Sequence, residues 1–197
     1  MYRLSSKVML SAAILLLTLL QSCGPDATGN CNTTNTDFNQ LYNEAVALPS
    51  HQDTNGFETE IQEYSFTFSE TKTICSIGYQ SQLATANVPY LIKIINNTTN
   101  TVLYNKSHIF SSENTSYVTI NPVVIKKNQS YTIRRTLLLQ DVGGENAALT
   151  GRVVTQNGGP IAFPKTFGLL TITGSNFNHN GGTYVNTGIP YIDFSYY

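Results

Sequence analysis

With 11 Lys and Arg against 12 Asp and Glu, the 197-residue chain carries a net charge of −1, and only 12% of its residues are charged. That balance lacks the basic stripe nucleic-acid binding needs, so no nucleic-acid partner is expected. The length suits one domain with a full core, whose polar surface must come from Asn, Thr, Ser and Tyr.

The first residues differ from the rest. Arg3 and Lys7 precede an uncharged run from Val8 to Leu20. About 13 residues is the length of a signal-peptide core, whereas a permanent membrane span needs roughly 20. Residues 1–22 therefore read as a cleaved secretory signal. Its removal takes the basic residues from 11 to 9 against the 12 acidic ones, a mature charge of about −3.

Leu20-Gln21-Ser22-Cys23 closes that run and resembles the lipobox of bacterial lipoproteins. The resemblance implies that the Cys23 thiol receives a diacylglycerol, that the chain is cut before Cys23, and that the new amine is acylated, for example by palmitate. Two or more acyl chains hold a soluble domain stably, because each buried CH₂ adds about 0.8 kcal/mol. The expected address is the cell envelope, lipid-anchored on the outer membrane at its periplasmic or surface face.

Residues 23–36 are polar and of low complexity, and are expected to form a flexible tether. Outside the cytoplasm Cys31 and Cys75 can form a disulfide; a buried free Cys75 on a strand is the alternative. Phe38, Leu41, Tyr42, Ala45 and Leu48 recur at helical spacing, so 37–49 reads as a short amphipathic helix, helical over 37–48 and closed by Pro49.

From Ile61 the period becomes two. Tyr64, Phe66 and Phe68 alternate with polar residues, as do Cys75, Ile77 and Tyr79, then Tyr90, Ile92 and Ile94. Turns are expected at Asn96–Asn100 and Lys126–Gln129. Further apolar runs follow at Val102 and Tyr104, Val118 and Ile120, Val123–Ile125, Tyr131 and Ile133, Val153–Val154, Leu169–Ile172, and Ile192, Phe194 and Tyr196. Short β-branched and aromatic runs punctuated by Asn, Gly and Pro predict an all-β domain over 50–197, an antiparallel β-sandwich.

The segments "TVLYNKS" (101–107), "YVTINPVVIKKNQSYTI" (117–133) and "PYIDFSYY" (190–197) together resemble the extracellular jelly-roll domains of unassigned function found in secreted bacterial proteins. The resemblance implies a jelly-roll-like sandwich and carries no active site with it. Asn128 stands where that pattern has a turn glycine.

No GxSxG, HExxH or P-loop pattern occurs, and His51, His108 and His179 stand in separate segments, so no enzyme is expected. Glu58, Glu60 and Glu63 read as a solvated strand face. Asp141 and Glu145 flank Gly143-Gly144 and can chelate a structural Ca²⁺ together with backbone carbonyls; Asp53-Thr54-Asn55-Gly56 is a weaker candidate. An ordinary turn is the competing reading at both places, and no other cofactor is indicated. The most suggestive binding feature is the loop 176–184, where Phe177 and Tyr184 would stack on a sugar ring while Asn178, His179 and Asn180 reach its hydroxyls. Against it, Tyr184 can begin a strand and pack inward. Arg135 shares strand parity with Tyr131, Ile133, Leu137 and Leu139, so a regular strand buries it; a bulge or strand end leaving it wet is the favoured account. Two functions fit: a membrane-anchored, non-catalytic binding module, for glycans, or a structural or assembly subunit of an envelope complex.

Overall fold

The computed structural model describes residues 31–55, 60–137, 151–179 and 182–197. The signal segment, Cys23, Asp141, Glu145 and Asn180 lie outside the described residues. Within them the chain folds as one helix, α1 (Asp37–Val46), a short 3₁₀ turn (Leu83–Thr85) and thirteen strands.

The strands fall into three antiparallel sheets. The largest has the order β11 (Gly182–Val185), β10 (Leu170–His179), β2 (Ile61–Phe68), β7 (Tyr131–Thr136), β4 (Tyr90–Asn96) and β5 (Thr101–His108). The short β9 (Lys165–Phe167) is a seventh member and pairs with the start of β10, while β11 pairs with its end. A second sheet has the order β13 (Asp193–Tyr196), β3 (Lys72–Tyr79) and β6 (Ser116–Ile125). The third joins β1 (His51–Thr54), β8 (Val153–Gln156) and β12 (Gly188–Pro190). This is the all-β sandwich that the period of two predicts.

The core forms where alternate side chains of the sheets meet. Tyr64, Phe66 and Phe68 of β2 are fully buried, and Phe194 of β13 stands 5.2 Å from the Phe66 ring centre and 5.9 Å from that of Phe68. Fully burying one such aromatic contributes roughly 1.5–3 kcal/mol. Many tyrosines serve here as phenylalanines with a hydroxyl that reaches a partner. Tyr64 donates to the Ile192 carbonyl at 2.6 Å, and the Tyr90 and Thr85 hydroxyls lie 2.6 Å apart. The Tyr richness is therefore largely a property of the core.

Helix α1 begins at Thr36, whose side chain accepts from the Asn39 backbone N–H at 3.0 Å, an N-cap that satisfies one of the free donors of the first turn. Phe38, Leu41, Tyr42 and Ala45 are buried, and Phe38 stacks on Tyr64 at 5.3 Å. Leu48 falls beyond the helix end and is exposed. Of the stretch expected as a tether, residues 31–36 are described, and two of them are fixed. Cys31 forms a disulfide with Cys75, Cα atoms 6.0 Å apart, and the Thr36 hydroxyl donates to Asp193 at 2.7 Å. The disulfide settles the alternatives for Cys75.

Both expected turns are present. Asn96 accepts from the backbone of Thr98 and Thr99, and Asn100 and Asn128 adopt positive φ (52° and 57°), which Asn tolerates better than other side-chain-bearing residues. Pro122 lies inside β6, where the register against β3 shifts between Ile74 and Ser76; such an irregularity is where a strand can hold a residue without an N–H.

Arg135 corrects one expectation. Strand β7 pairs with both β2 and β4 without a register shift, so there is no bulge to turn the side chain outward. It is 0% exposed. Its guanidinium lies 5.7 and 5.5 Å from the Tyr79 and Tyr90 ring centres, close enough for cation–π attraction. Gln62 stands opposite it across the ladder. Gly151 closes the pocket, because a Cβ there would come within 2.6 Å of Gln62 Oε1 and 2.7 Å of Arg135 Nη2.

Candidate functional site

The smallest sheet builds one wall of an open groove. Along β1, His51 and Asp53 alternate with Gln52 and Thr54. Asp53 accepts from the Tyr42 hydroxyl at 2.9 Å and pairs with Arg152 at 2.6 Å. The Arg152 guanidinium in turn lies 4.5 Å from the Tyr191 ring centre. Burial and the neighbouring Asp53 carboxylate push the Tyr42 hydroxyl far above its usual pKa, so it stays a donor. These contacts tie β1 to α1 through Asp53, and strand alternation sends Gln52 and Thr54 to the other side.

There they meet Thr155 and Gln156 of β8; Gln52 lies opposite Thr155. Gly159, Pro160 and Thr187 complete the lining of an open groove of about 620 Å³, within the roughly 300–1,000 Å³ range of small-molecule sites. The turn before Pro160 passes through Gly158 at φ +91°, a conformation glycine adopts without strain. Among the described residues no ionisable side chain lines the groove; five amide and hydroxyl side chains do. The Thr187 Oγ1 is buried and has no hydrogen-bond partner among the described residues. A buried hydroxyl left this way costs roughly 1–3 kcal/mol, and its oxygen, shut off from solvent, is not one that a ligand in the open groove reaches.

The expected sugar loop 176–184 is a β-hairpin instead. Asn176, Phe177, Asn178 and His179 belong to β10 and pair with Val185, Tyr184, Thr183 and Gly182 of β11. Phe177 is 0% exposed and cannot stack on a ligand. Its inward direction follows from the register shift between Ile172 and Gly174, which moves the buried positions from Leu170 and Ile172 to Ser175 and Phe177. Tyr184 is 51% exposed at the edge of the sheet, so it does not pack inward either. Asn178 accepts from the Thr183 hydroxyl at 2.5 Å. The hairpin makes the two aromatics cross-strand partners, with Phe177 buried and only Tyr184 exposed at the sheet edge.

The weaker Ca²⁺ candidate is also corrected, since Asp53 lies on a strand and is committed to Tyr42 and Arg152. Among the described residues no group of three His, Cys, Asp or Glu could hold a metal ion. His51 Nδ1 is 2.9 Å from the Pro49 carbonyl, and His108 Nε2 is 2.5 Å from the Tyr104 hydroxyl; burial lowers the His108 pKa. No described helix is long and apolar enough to cross a membrane.

Sequence reasoning did not find Gln52, Thr54, Thr155, Gln156 or Thr187. Their one signal was the alternation around Asp53, masked by the turn-like composition of Asp53-Thr54-Asn55-Gly56. No protein-family model matches the chain, and no curated protein matches it.

Proposed function

We propose that this chain is an acyl-anchored envelope lipoprotein whose sandwich is a non-catalytic binding module, and that the groove between β1, β8 and Thr187 takes an uncharged, hydroxyl-rich ligand, a neutral glycan. The anchor reading is supported by the Leu20–Cys23 sequence. The ligand reading is carried by the groove, whose described lining holds five amide and hydroxyl side chains and no ionisable one. Side-chain amides offer a donor and an acceptor side by side, which suits neighbouring sugar hydroxyls.

A panel of neutral oligosaccharides tested against the mature chain should give reproducible binding that Gln52→Ala and Gln156→Ala weaken. Binding that ignores both substitutions places the ligand elsewhere. For the anchor, cells fed a palmitate analogue should label the wild type and not Cys23→Ala, which should pass to the soluble fraction. Label retained on the Ala variant refutes the anchor.

The assembly-subunit reading draws on a different feature. Strand β5 is a sheet edge eight residues long that exposes Val102 and Leu103, and unpaired edges can accept a partner strand. Stoichiometric co-purification of another envelope protein, lost on Val102→Lys, would support it over the groove.

A further inference from the structure

The outer face of the largest sheet carries a row of side chains that the strand registers align. Asn176 of β10 lies opposite Glu63 of β2, Glu63 opposite Arg134 of β7, Arg134 opposite Lys93 of β4, and Lys93 opposite Asn105 of β5. Neighbouring strands stand about 4.8 Å apart, so the row crosses five strands in nearly even steps.

Its charges are unbalanced. Both Glu63 oxygens are engaged, Oε1 by Asn176 Nδ2 at 3.1 Å and Oε2 by Arg134 Nε at 2.5 Å. Glu63 is buried, and the Arg134 side chain is 30% exposed. The grip on Nε fixes the guanidinium while leaving its two terminal nitrogens outside that bond. Lys93, directly across the ladder, has no ion pair among the described residues. Like charges opposite one another destabilise a sheet, and Glu63 compensates one of the two cations only. The row thus keeps one positive charge in a chain whose mature net charge is about −3.

We propose that this row binds the carboxylates of an acidic glycan, a polyuronate lying across the strands. The guanidinium fork takes a carboxylate in bidentate fashion, and Lys93 supplies the adjacent point charge. Asn176 and Asn105 flank the pair and suit sugar hydroxyls. The strand spacing is close to the length of one hexose, so successive sugars meet successive strands. The row has no large apolar anchor of the kind that dominates protein–protein interfaces, which favours the glycan over an acidic protein. This site is separate from the groove and does not depend on it.

The test is calorimetry of the mature chain with polygalacturonate, its methyl ester and polyglutamate as probes. Polygalacturonate should bind, more weakly as salt rises, and should raise the melting temperature. The uncharged ester and the polypeptide should bind at least tenfold more weakly. Lys93→Gln removes the repelling charge without touching the core, so it should fold at least as stably while losing roughly tenfold in polygalacturonate affinity. Gln52→Ala in the groove should leave that affinity unchanged. Failure of polygalacturonate to bind, equal binding of the ester or of polyglutamate, or full affinity in Lys93→Gln would each overturn the proposal.

Discussion

Asp193 offers the sharpest test of the packing at the helix end of the sandwich. Its carboxylate is fully buried and accepts from the Thr36 hydroxyl at 2.7 Å, the Tyr117 hydroxyl at 2.6 Å and the Phe194 N–H at 2.6 Å. No cation pairs with it among the described residues. Burial pushes its pKa from 3.8 to about 6, against the lowering effect of those three donors. Between pH 4 and 6, roughly, the folded chain keeps a proton that the unfolded chain has lost. Stability must therefore fall as pH rises through that window and level off above it. A shift of about two pH units corresponds to roughly 3 kcal/mol at about 1.4 kcal/mol per unit. Asp193→Asn keeps one oxygen for Thr36 and Phe194 and turns the other atom into a donor that the Tyr117 hydroxyl can accept. The variant should match the wild type near pH 4 and exceed it by up to about 3 kcal/mol at pH 7. Urea unfolding of both proteins from pH 4 to 8 measures the difference directly. A variant that keeps the wild-type slope between pH 4 and 6, or is the less stable of the two at pH 7, would refute the reasoning.

Reducing Cys31–Cys75, or replacing both by Ser, frees a loop whose ends are 44 residues apart and should cost roughly 4 kcal/mol by chain entropy; an unchanged melting temperature under reductant would contradict it. Phe177→Ala should cost about 3–5 kcal/mol as a core truncation, while Tyr184→Ala on the exposed edge should stay within about 0.5 kcal/mol. Thermal melts that rank these two the other way would reject the hairpin register. Gly151→Ala should destabilise by roughly 1–3 kcal/mol through overpacking against Gln62, Arg135 and Tyr79, also read by a melt; a neutral result would mean that pocket is not tightly closed.

The core was legible in the sequence because strand alternation and helical spacing both report burial. Phe38, Leu41, Tyr42 and Ala45, and the apolar sets of β2, β4 and β7, read correctly on that basis. Phe177 did not, because its Asn- and Gly-rich surroundings read as a loop; even a count of parity would have missed it, since the shift after Ile172 reversed every position beyond it. Arg135 shows the opposite case, where regular pairing held and the expected irregularity was absent. Strands β1 and β11 escaped notice because their residues are mostly polar or exposed, so pairing rather than burial defines them. The row of Glu63, Arg134 and Lys93 was hidden for a different reason. Its members lie on three strands, and only the register brings them together; Glu63 alone looks like one more solvated carboxylate.

The groove carries the functional account, and Gln52 tests it most directly. Gln52 is exposed on β1 and lines the groove, so Gln52→Ala should change folding stability by no more than about 0.5 kcal/mol. Affinity for a neutral oligosaccharide that binds the wild type should fall about tenfold, the value of one hydrogen bond of about 1.4 kcal/mol. Calorimetric titration of both proteins, with a melt of each, decides the matter. Stability preserved with affinity lost is the predicted result; affinity preserved in Gln52→Ala would contradict the placement of the ligand in this groove.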